Sequence, residues 1–220
     1  MAFYIKNAID NHSLLAIRES LDSNAFFIDG KSTAGRSARD VKTNLQANPT
    51  NSEVIAAGKL VEKCMLSNSL VKAAIYPDRV AKTMISRYEQ GMHYGQHIDE
   101  ATINQTRVDV AFTVFLSSPD SYEGGELEIS KSDGRDTIKL NAGDAYIYSA
   151  DTIHQVLPVT SGVRLAAVGW IKSKIRFASQ REILYDLSAA IAETPVNSDT
   201  QATRLKLLKV RSNLERMWSD

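Results

Sequence analysis

A single cysteine, Cys64, excludes an intramolecular disulfide, so packing rather than covalent staples must hold this chain together. Cys64 falls on the apolar side of a predicted helix and is expected to be a small core residue. Basic and acidic side chains balance at 26 each, which leaves no global field to draw the chain to nucleic acid or to an anionic membrane surface. No apolar run reaches membrane-spanning length, and Met1-Ala2-Phe3-Tyr4-Ile5-Lys6 lacks the charged start and long apolar stretch of a signal peptide. A cytoplasmic location is therefore expected. Repeats and low-complexity tails are also absent, and 220 residues suffice for one sizeable core with a small appendage.

What is there divides into three regions. In residues 1–78, the stretch 11–23 carries Leu14, Leu15, Ile17 and Leu21 at helical spacing. Thr50-Asn51-Ser52-Glu53 has the form of a capping box, opening a helix with Val54, Ala57, Val61, Cys64 and Met65 on one side. Residues 30–49 are polar and poor in apolar side chains, which predicts a loop, placed to serve as a lid. From 79 to 174 the period switches to two. Val108, Val110, Phe112, Val114 and Leu116 alternate with Arg107, Asp109, Ala111, Thr113 and Phe115, a strand with one strongly apolar face. Further strands are predicted at 126–130, 137–140, 145–148, 153–159 and 163–172, with a turn at 160–162 before the last. Many short strands at this spacing indicate a sandwich or barrel. Residues 175–220 return to helix, at 180–191 and at about 200–218, with a break around Pro195. The last helix carries Leu207, Val210, Leu214 and Met217, which must pack either on the barrel or on a second subunit as a homo-oligomer.

Histidine is scarce, with four in the chain, yet two of them fall in a pattern that carries chemistry. His97 and Asp99 sit two positions apart, on one face of an extended segment, and His154 follows more than fifty residues later. Two imidazoles and one carboxylate on one side of a metal leave the opposite positions open, the facial arrangement of non-haem Fe(II) oxygenases. Arg164 shares a strand face with Ala166, Val168 and Trp170, an apolar row in which an arginine needs a partner. A dicarboxylate ligand would supply it bidentately. An ion pair with one of the chain's own acids is the competing account.

The run from Arg87 to Asp99 matches the Tyr-x-x-Gly-x-x-Tyr-x-x-His-x-Asp pattern of the prolyl-hydroxylase-like oxygenases. Phe115-Leu116-Ser117, Glu123-Gly124-Gly125-Glu126-Leu127, Ala142-Gly143-Asp144 and the stretch from His154 to Trp170 fall in that family's order. With Thr33-Ala34-Gly35, Val41-Lys42-Thr43-Asn44 and the closing helices, the chain more narrowly resembles the bacterial and phage PKHD-type hydroxylases over nearly its full length. The resemblance implies an α+β fold built on a double-stranded β-helix, or jelly-roll, in a bacterial cell or a phage-infected host. It implies Fe(II) held by His97, Asp99 and His154, and 2-oxoglutarate as co-substrate with its far carboxylate on Arg164. It also implies O2 as oxidant, L-ascorbate as an auxiliary reductant, and hydroxylation of an unactivated C–H bond, in a peptidyl proline or another peptide or small molecule, with release of succinate and CO2. Tyr88, at the first motif tyrosine, is placed to hydrogen-bond the co-substrate. Many relatives carry serine where this chain has Ala166, so one carboxylate contact must be missing or come from elsewhere.

Other residues read more plainly. Tyr94 and Trp170 are expected as packing residues, His93 as rim and His12 as surface. Asp151 is expected either to orient His154 from behind or, as its near neighbour in sequence, to point away. Gly124-Gly125 should permit a tight strand entry, since no phosphate-binding lysine or helix follows. Two other classes compete with the oxygenase: a metal-dependent hydrolase or isomerase on a cupin-like barrel, and a catalytically idle binding or sensing module.

Overall fold

The structure is a computed structural model describing residues 2–21, 26–33 and 39–220. In chain order it contains β1 (Phe3–Ile5), α1 (Asn11–Glu19), β2 (Phe27–Asp29), a 3-10 turn (Gly30–Thr33), β3 (Lys42–Thr43), β4 (Leu45–Ala47), α2 (Ser52–Ser67) and α3 (Ser69–Ile75). The central part holds β5 (Pro77–Tyr88), β6 (His93–His97), the hairpin of β7 (Thr102–Ile103) and β8 (Thr106–Arg107), and β9 (Val110–Phe115). It continues through a 3-10 turn (Pro119–Ser121), β10 (Tyr122–Gly124), β11 (Leu127–Lys131), β12 (Gly134–Ile138), β13 (Ala145–Ser149), β14 (His154–Val156), β15 (Val159–Gly162) and β16 (Arg164–Ser173). Two helices close the chain, α4 (Ala178–Glu193) and α5 (Gln201–Trp218).

Two antiparallel sheets face each other as a jelly-roll. The larger has the order β1-β13-β9-β16-β5-β4-β2 and the smaller β12-β11-β14-β6-β3. Strand alternation then assigns each face of the larger sheet a different job. Val110, Phe112 and Val114 of β9, Ala145 and Ile147 of β13, Ile85 of β5 and Ala167 of β16 point outward. There they join Leu14 and Ile17 of α1, Val54, Val61 and Met65 of α2 and Val71 of α3 in the main core. The strongly apolar face of β9 therefore supports helices. Its other face sends Ala111 and Phe115 between the sheets, against Leu127, Ile129, Tyr146 and Tyr148. Fully burying each large side chain contributes about 1.5–3 kcal/mol, so the helix layer carries most of the apolar stabilisation.

The helix starts are set by side-chain caps. Asp10 accepts the Ser13 N–H at 2.9 Å to open α1. At α2 the Thr50 capping box is not what forms: Asn51 is the N-cap, its Oδ1 accepting from the N–H groups of Glu53 (2.8 Å) and Val54 (3.1 Å). Asn ranks above Thr as an N-cap, so the start moves one residue on without cost. Residues 22 and 23 of the first predicted helix lie outside the described residues, as do Ala34 and Gly35.

Three further expectations are corrected. Residues 30–49 are not one loop: Lys42–Thr43 pairs with β6, and Leu45–Ala47 pairs with β5 and β2. The proposed turn at 160–162 is part of β15, which pairs with Tyr122–Gly124. A single strand over 153–159 is broken after Val156, and the strand expected from Arg107 begins at Val110, Thr106–Arg107 belonging to the β7–β8 hairpin. Cys64 is half-buried against the main core. α5 contains no fully buried residue, and Leu205, Val210 and Met217 on it are exposed. Among the described residues no helix is long and apolar enough to cross a membrane.

Candidate functional site

The site begins with an irregularity. His97 pairs with His154 and Tyr94 with Val156, so three residues of β6 span what two residues of β14 span. A bulge of this kind re-aims side chains. It brings Tyr94 and His97, which strict alternation would send to opposite faces, onto one side with their rings stacked 3.7 Å apart. The His154 ring lies 4.3 Å from that of His97. Asp99, just beyond the end of β6, places Oδ1 3.9 Å from His154 Nε2. One donor atom from each of His97, Asp99 and His154 lies within 4.8 Å of the others.

Backbone carbonyls fix both imidazoles. His97 Nδ1 donates to Gly95 O at 2.8 Å, and His154 Nδ1 to Thr152 O at 2.9 Å. Asp151 is exposed and does not orient His154. With Nδ1 donating, the Nε2 lone pairs are left for the cluster. Burial, reinforced by the neighbouring His154, holds His97 down to about 3, so its imidazole is neutral. Burial pushes the Asp99 carboxyl up, while His154 pulls it down. Asp99 Oδ2 has no hydrogen-bond partner, and the indole N–H of Trp170 faces the same carboxylate without closing a bond. Two imidazole nitrogens and an unpaired carboxylate oxygen thus converge on one space. Acceptors arranged in this way repel unless a cation sits between them, and two nitrogens with one oxygen suit a divalent first-row metal.

A second pole lies deeper. Arg164 opens β16 opposite Tyr88 of β5 and is 1% exposed. Its guanidinium carbon stands 5.2 Å from the Tyr88 ring and 5.5 Å from the Phe115 ring. Nε and Nη2 have no hydrogen-bond partner, and no carboxylate among the described residues forms an ion pair with Arg164. The account of Arg164 as half of a structural ion pair therefore fails. Gly125, at φ +65°, makes room for it: a Cβ there would come within 3.1 Å of Arg164 Cδ and 2.8 Å of Val159 Cγ2. Gly124 at φ +68° lies still tighter, a Cβ meeting Pro158 O at 2.2 Å. Across from Ala166 stands Ser86, whose Oγ accepts from Gln46 Nε2 at 3.0 Å.

A cavity of about 310 Å³ joins the two poles. Among its residues Lys82, Thr113 and Tyr148 stand in none of the sequence motifs, and Lys42 stands in one only as part of Val41-Lys42-Thr43-Asn44. Tyr148 stands edge-on to His154, with ring centroids 5.0 Å apart. Lys42, Asn44 and Gln46 are all nearly inaccessible, so the polar stretch taken as a loop is extended chain with a polar face turned inward. An alternation of Val41, Thr43 and Leu45 with three long polar residues was the available signal. Tyr88 is buried, its hydroxyl among the side chains of Asn44 and Ser86. His93 is a half-buried rim residue and His12 is exposed.

Residues 83–172, the strands that carry this geometry, match the 2OG-Fe(II) oxygenase superfamily. A PKHD-type hydroxylase of Parvibaculum lavamentivorans is 44% identical over 196 residues, covering 88% of each chain. The chain belongs to the PKHD-type hydroxylases. The PKHD-type hydroxylase IL0759 of Idiomarina loihiensis is 39% identical over the full length of both chains. Among solved structures, a prolyl hydroxylase of Trichoplax adhaerens, bound to a hypoxia inducible factor oxygen degradation domain peptide fragment, has the same fold. Its TM-score is 0.58 at 17% identity, over 83% of this chain and 86% of that one. As a PKHD-type hydroxylase the protein is an Fe(II)- and 2-oxoglutarate-dependent dioxygenase, with O2 as its second co-substrate.

Proposed function

We propose that His97, Asp99 and His154 hold the Fe(II), that Arg164 and Tyr88 bind 2-oxoglutarate, and that the hydroxylated carbon belongs to a peptide or small molecule. The observation that carries the assignment is the convergence of three ligand atoms, one each from His97, Asp99 and His154, within 4.8 Å, facing a cavity whose far end holds Arg164 with Nε and Nη2 unbonded. Bound iron supplies the oxidative decarboxylation of 2-oxoglutarate to succinate and CO2, coupled to hydroxylation of a C–H bond.

The chain's own residues do the rest. Gly95 and Thr152 carbonyls keep each Nδ1 protonated and each Nε2 free, so the donor set is organised before metal arrives. Tyr94 stacks on His97 and fixes the ring's plane. Arg164, over Tyr88 and Phe115, offers two unpaired N–H edges that match a carboxylate. That clamp sets the length and orientation of the co-substrate and separates this reading from Lewis-acid hydrolysis, which has no use for it. Thr113 and Tyr148 line the wall and exclude water. In this reading residues 79–174 carry the chemistry, and 1–78 and 175–220 support it. The exposed α5 face is the place for a second subunit, and the setting is the cytoplasm. Proline is the first residue to test as substrate, because the Trichoplax protein of like fold is a prolyl hydroxylase.

Purified protein given Fe(II) and 2-oxoglutarate should form succinate. His97→Ala and Asp99→Ala should reduce turnover by roughly 10³-fold or more while circular dichroism stays unchanged. Normal turnover in either variant defeats the assignment. Iron-loaded wild-type protein that never consumes 2-oxoglutarate with any substrate would favour the sensing module.

A further inference from the structure

Two cations on the cavity wall remain once the metal cluster and Arg164 have roles. The inward positions of β5 are Lys82, Met84, Ser86 and Tyr88, and burial deepens along them from half-buried Lys82 to buried Ser86 and Tyr88. Their β16 partners run from Trp170, opposite Lys82, to Arg164, opposite Tyr88. β5 is therefore the axis of the cavity, with its mouth at Lys82 and its floor at Tyr88, about 20 Å of strand apart. A five-carbon diacid anchored on Arg164 and on the metal cluster occupies the floor and leaves Lys82 for a second ligand.

Lys82 has no ion pair among the described residues, and burial lowers its pKa. Lys42 projects into the same cavity from β3. Its Nζ lies 3.0 Å from Gln46 Oε1 and 5.1 Å from the centre of the Tyr94 ring, the ring that stacks on His97. The Lys82 ammonium repels that of Lys42, which Asp29 in turn attracts. Glu100, which also lines the mouth, does not pair with Lys82. A half-buried ammonium with no ion pair among the described residues, Lys82, is costly in that partly desolvated space until an anion reaches it. Beside them the mouth is apolar, with half-buried Met84 and Ile103 and with Ile98, which is 55% exposed.

We propose that Lys82, with the charge of the deeper Lys42 behind it, binds a carboxylate of the substrate at the cavity mouth, so that the hydroxylated carbon belongs to an organic acid or to an acidic peptide with an apolar portion. This rests on the oxygenase reading of His97, Asp99, His154 and Arg164, and the test separates the two. The full chain in a Trp218→Phe background, loaded with Mn(II) and 2-oxoglutarate so that no turnover occurs, is titrated with paired probes while Trp170 fluorescence is followed. N-acetylproline against its amide tests a free carboxylate; capped Pro-Asp against capped Pro-Asn tests a side-chain carboxylate. At least one acid should bind about tenfold more tightly than its neutral twin. The pair that discriminates identifies a free acid or an acidic peptide as the class. Lys82→Ala should abolish the preference and Lys82→Glu should reverse it. Lys42→Met, the more buried change, should weaken it. In the same variants 2-oxoglutarate affinity, read from the absorption band of the anaerobic Fe(II) complex, should move less than about twofold.

Equal binding of acid and amide, absence of saturable binding by both acids, or a preference that survives Lys82→Ala overturns the proposal. So does a parallel loss of 2-oxoglutarate affinity, which would make Lys82 part of the co-substrate site. Failure of the wild-type protein to bind 2-oxoglutarate through its metal would instead overturn the reading beneath it.

Discussion

The two faces of the seven-stranded sheet follow opposite rules. The outer face, under α1, α2 and α3, is built from Val110, Phe112, Val114, Ile147 and Ile85, all almost fully inaccessible and all hydrocarbon. The inner face of the same strands presents Lys82, Ser86, Tyr88, Thr113, Tyr148 and Arg164. A barrel closed by two sheets alone would have to fill its interior with apolar side chains to be stable. Here the helical layer supplies the apolar burial, and the interior is free to hold charges that lack protein partners. If this division is real, outer substitutions should cost stability and leave the site's chemistry alone, while inner ones should do the reverse.

The largest effect is expected outside. Phe112→Ala removes a fully buried ring from the main core and should destabilise the fold by about 3–5 kcal/mol, measured by chemical denaturation. Against a typical total of about 5–15 kcal/mol this is severe. Folded molecules that remain at low temperature should still bind 2-oxoglutarate normally. A loss below about 1 kcal/mol would mean that the outer layer is not the main source of stability.

Arg164→Met is the inner counterpart. It exchanges an unpaired buried guanidinium for an apolar chain of similar length, so the protein free of co-substrate should be no less stable, and more stable if desolvation dominates. Affinity for 2-oxoglutarate should fall by about a hundredfold or more. Titration of the anaerobic Fe(II) protein measures the second quantity, and thermal denaturation the first. A large stability loss with unchanged affinity would return Arg164 to a structural role.

Lys42→Met sharpens the comparison through pH. Burial, with the repulsion of Lys82, lowers the Lys42 pKa from 10.5 to about 8. Below 8 both folded and unfolded chains carry the proton, and the folded one bears the cost of a desolvated charge. Between 8 and 10.5 the unfolded chain binds more protons, so wild-type stability from this group rises with pH and levels off above 10.5. Lys42→Met should therefore gain stability at pH 7. After the lost bond to Gln46 the gain should be about 1–2 kcal/mol, and it should shrink as pH climbs from 8 to 10.5. Denaturation curves at several pH values decide; a gain that grows with pH would contradict the assignment. A lysine retained at such a cost is what a binding wall requires and a core does not.

The same division explains what could be read from the chain. His97, Asp99, His154 and Arg164 were legible because metal and carboxylate recognition need particular side chains at particular spacings, and the outer face was legible because hydrocarbon alternation is its cause. Residues 42–46 were not, because Lys42, Asn44 and Gln46 invert the usual pattern: their polar side chains are buried, Lys42 against Gln46 and the Tyr94 ring, and Gln46 against Ser86. The bulge in β6 was equally silent, since the stack of Tyr94 on His97 depends on how two strands register across sixty residues. For the same reason 160–162 read as a turn: its glycine and small polar residues announce flexibility, whereas its pairing with Tyr122–Gly124 is a long-range fact.

The smallest expected effect concerns Ala166, where many relatives have serine. Ser86 stands directly opposite on β5 and lines the cavity. Its Oγ already accepts from Gln46 Nε2, which leaves its own hydrogen to donate to Tyr88 Oη or to a co-substrate oxygen. Ser86→Ala should cost less than about 1 kcal/mol of stability and weaken 2-oxoglutarate binding by only about two- to fivefold. The decisive variant is the swap, Ser86→Ala with Ala166→Ser, which returns the hydroxyl to the strand where the relatives keep it. Recovery of affinity in the swap would show that a co-substrate contact moved across the register. Affinity that stays low would mean that Ser86 serves the Gln46 network, and that Arg164 with Tyr88 forms the whole carboxylate clamp.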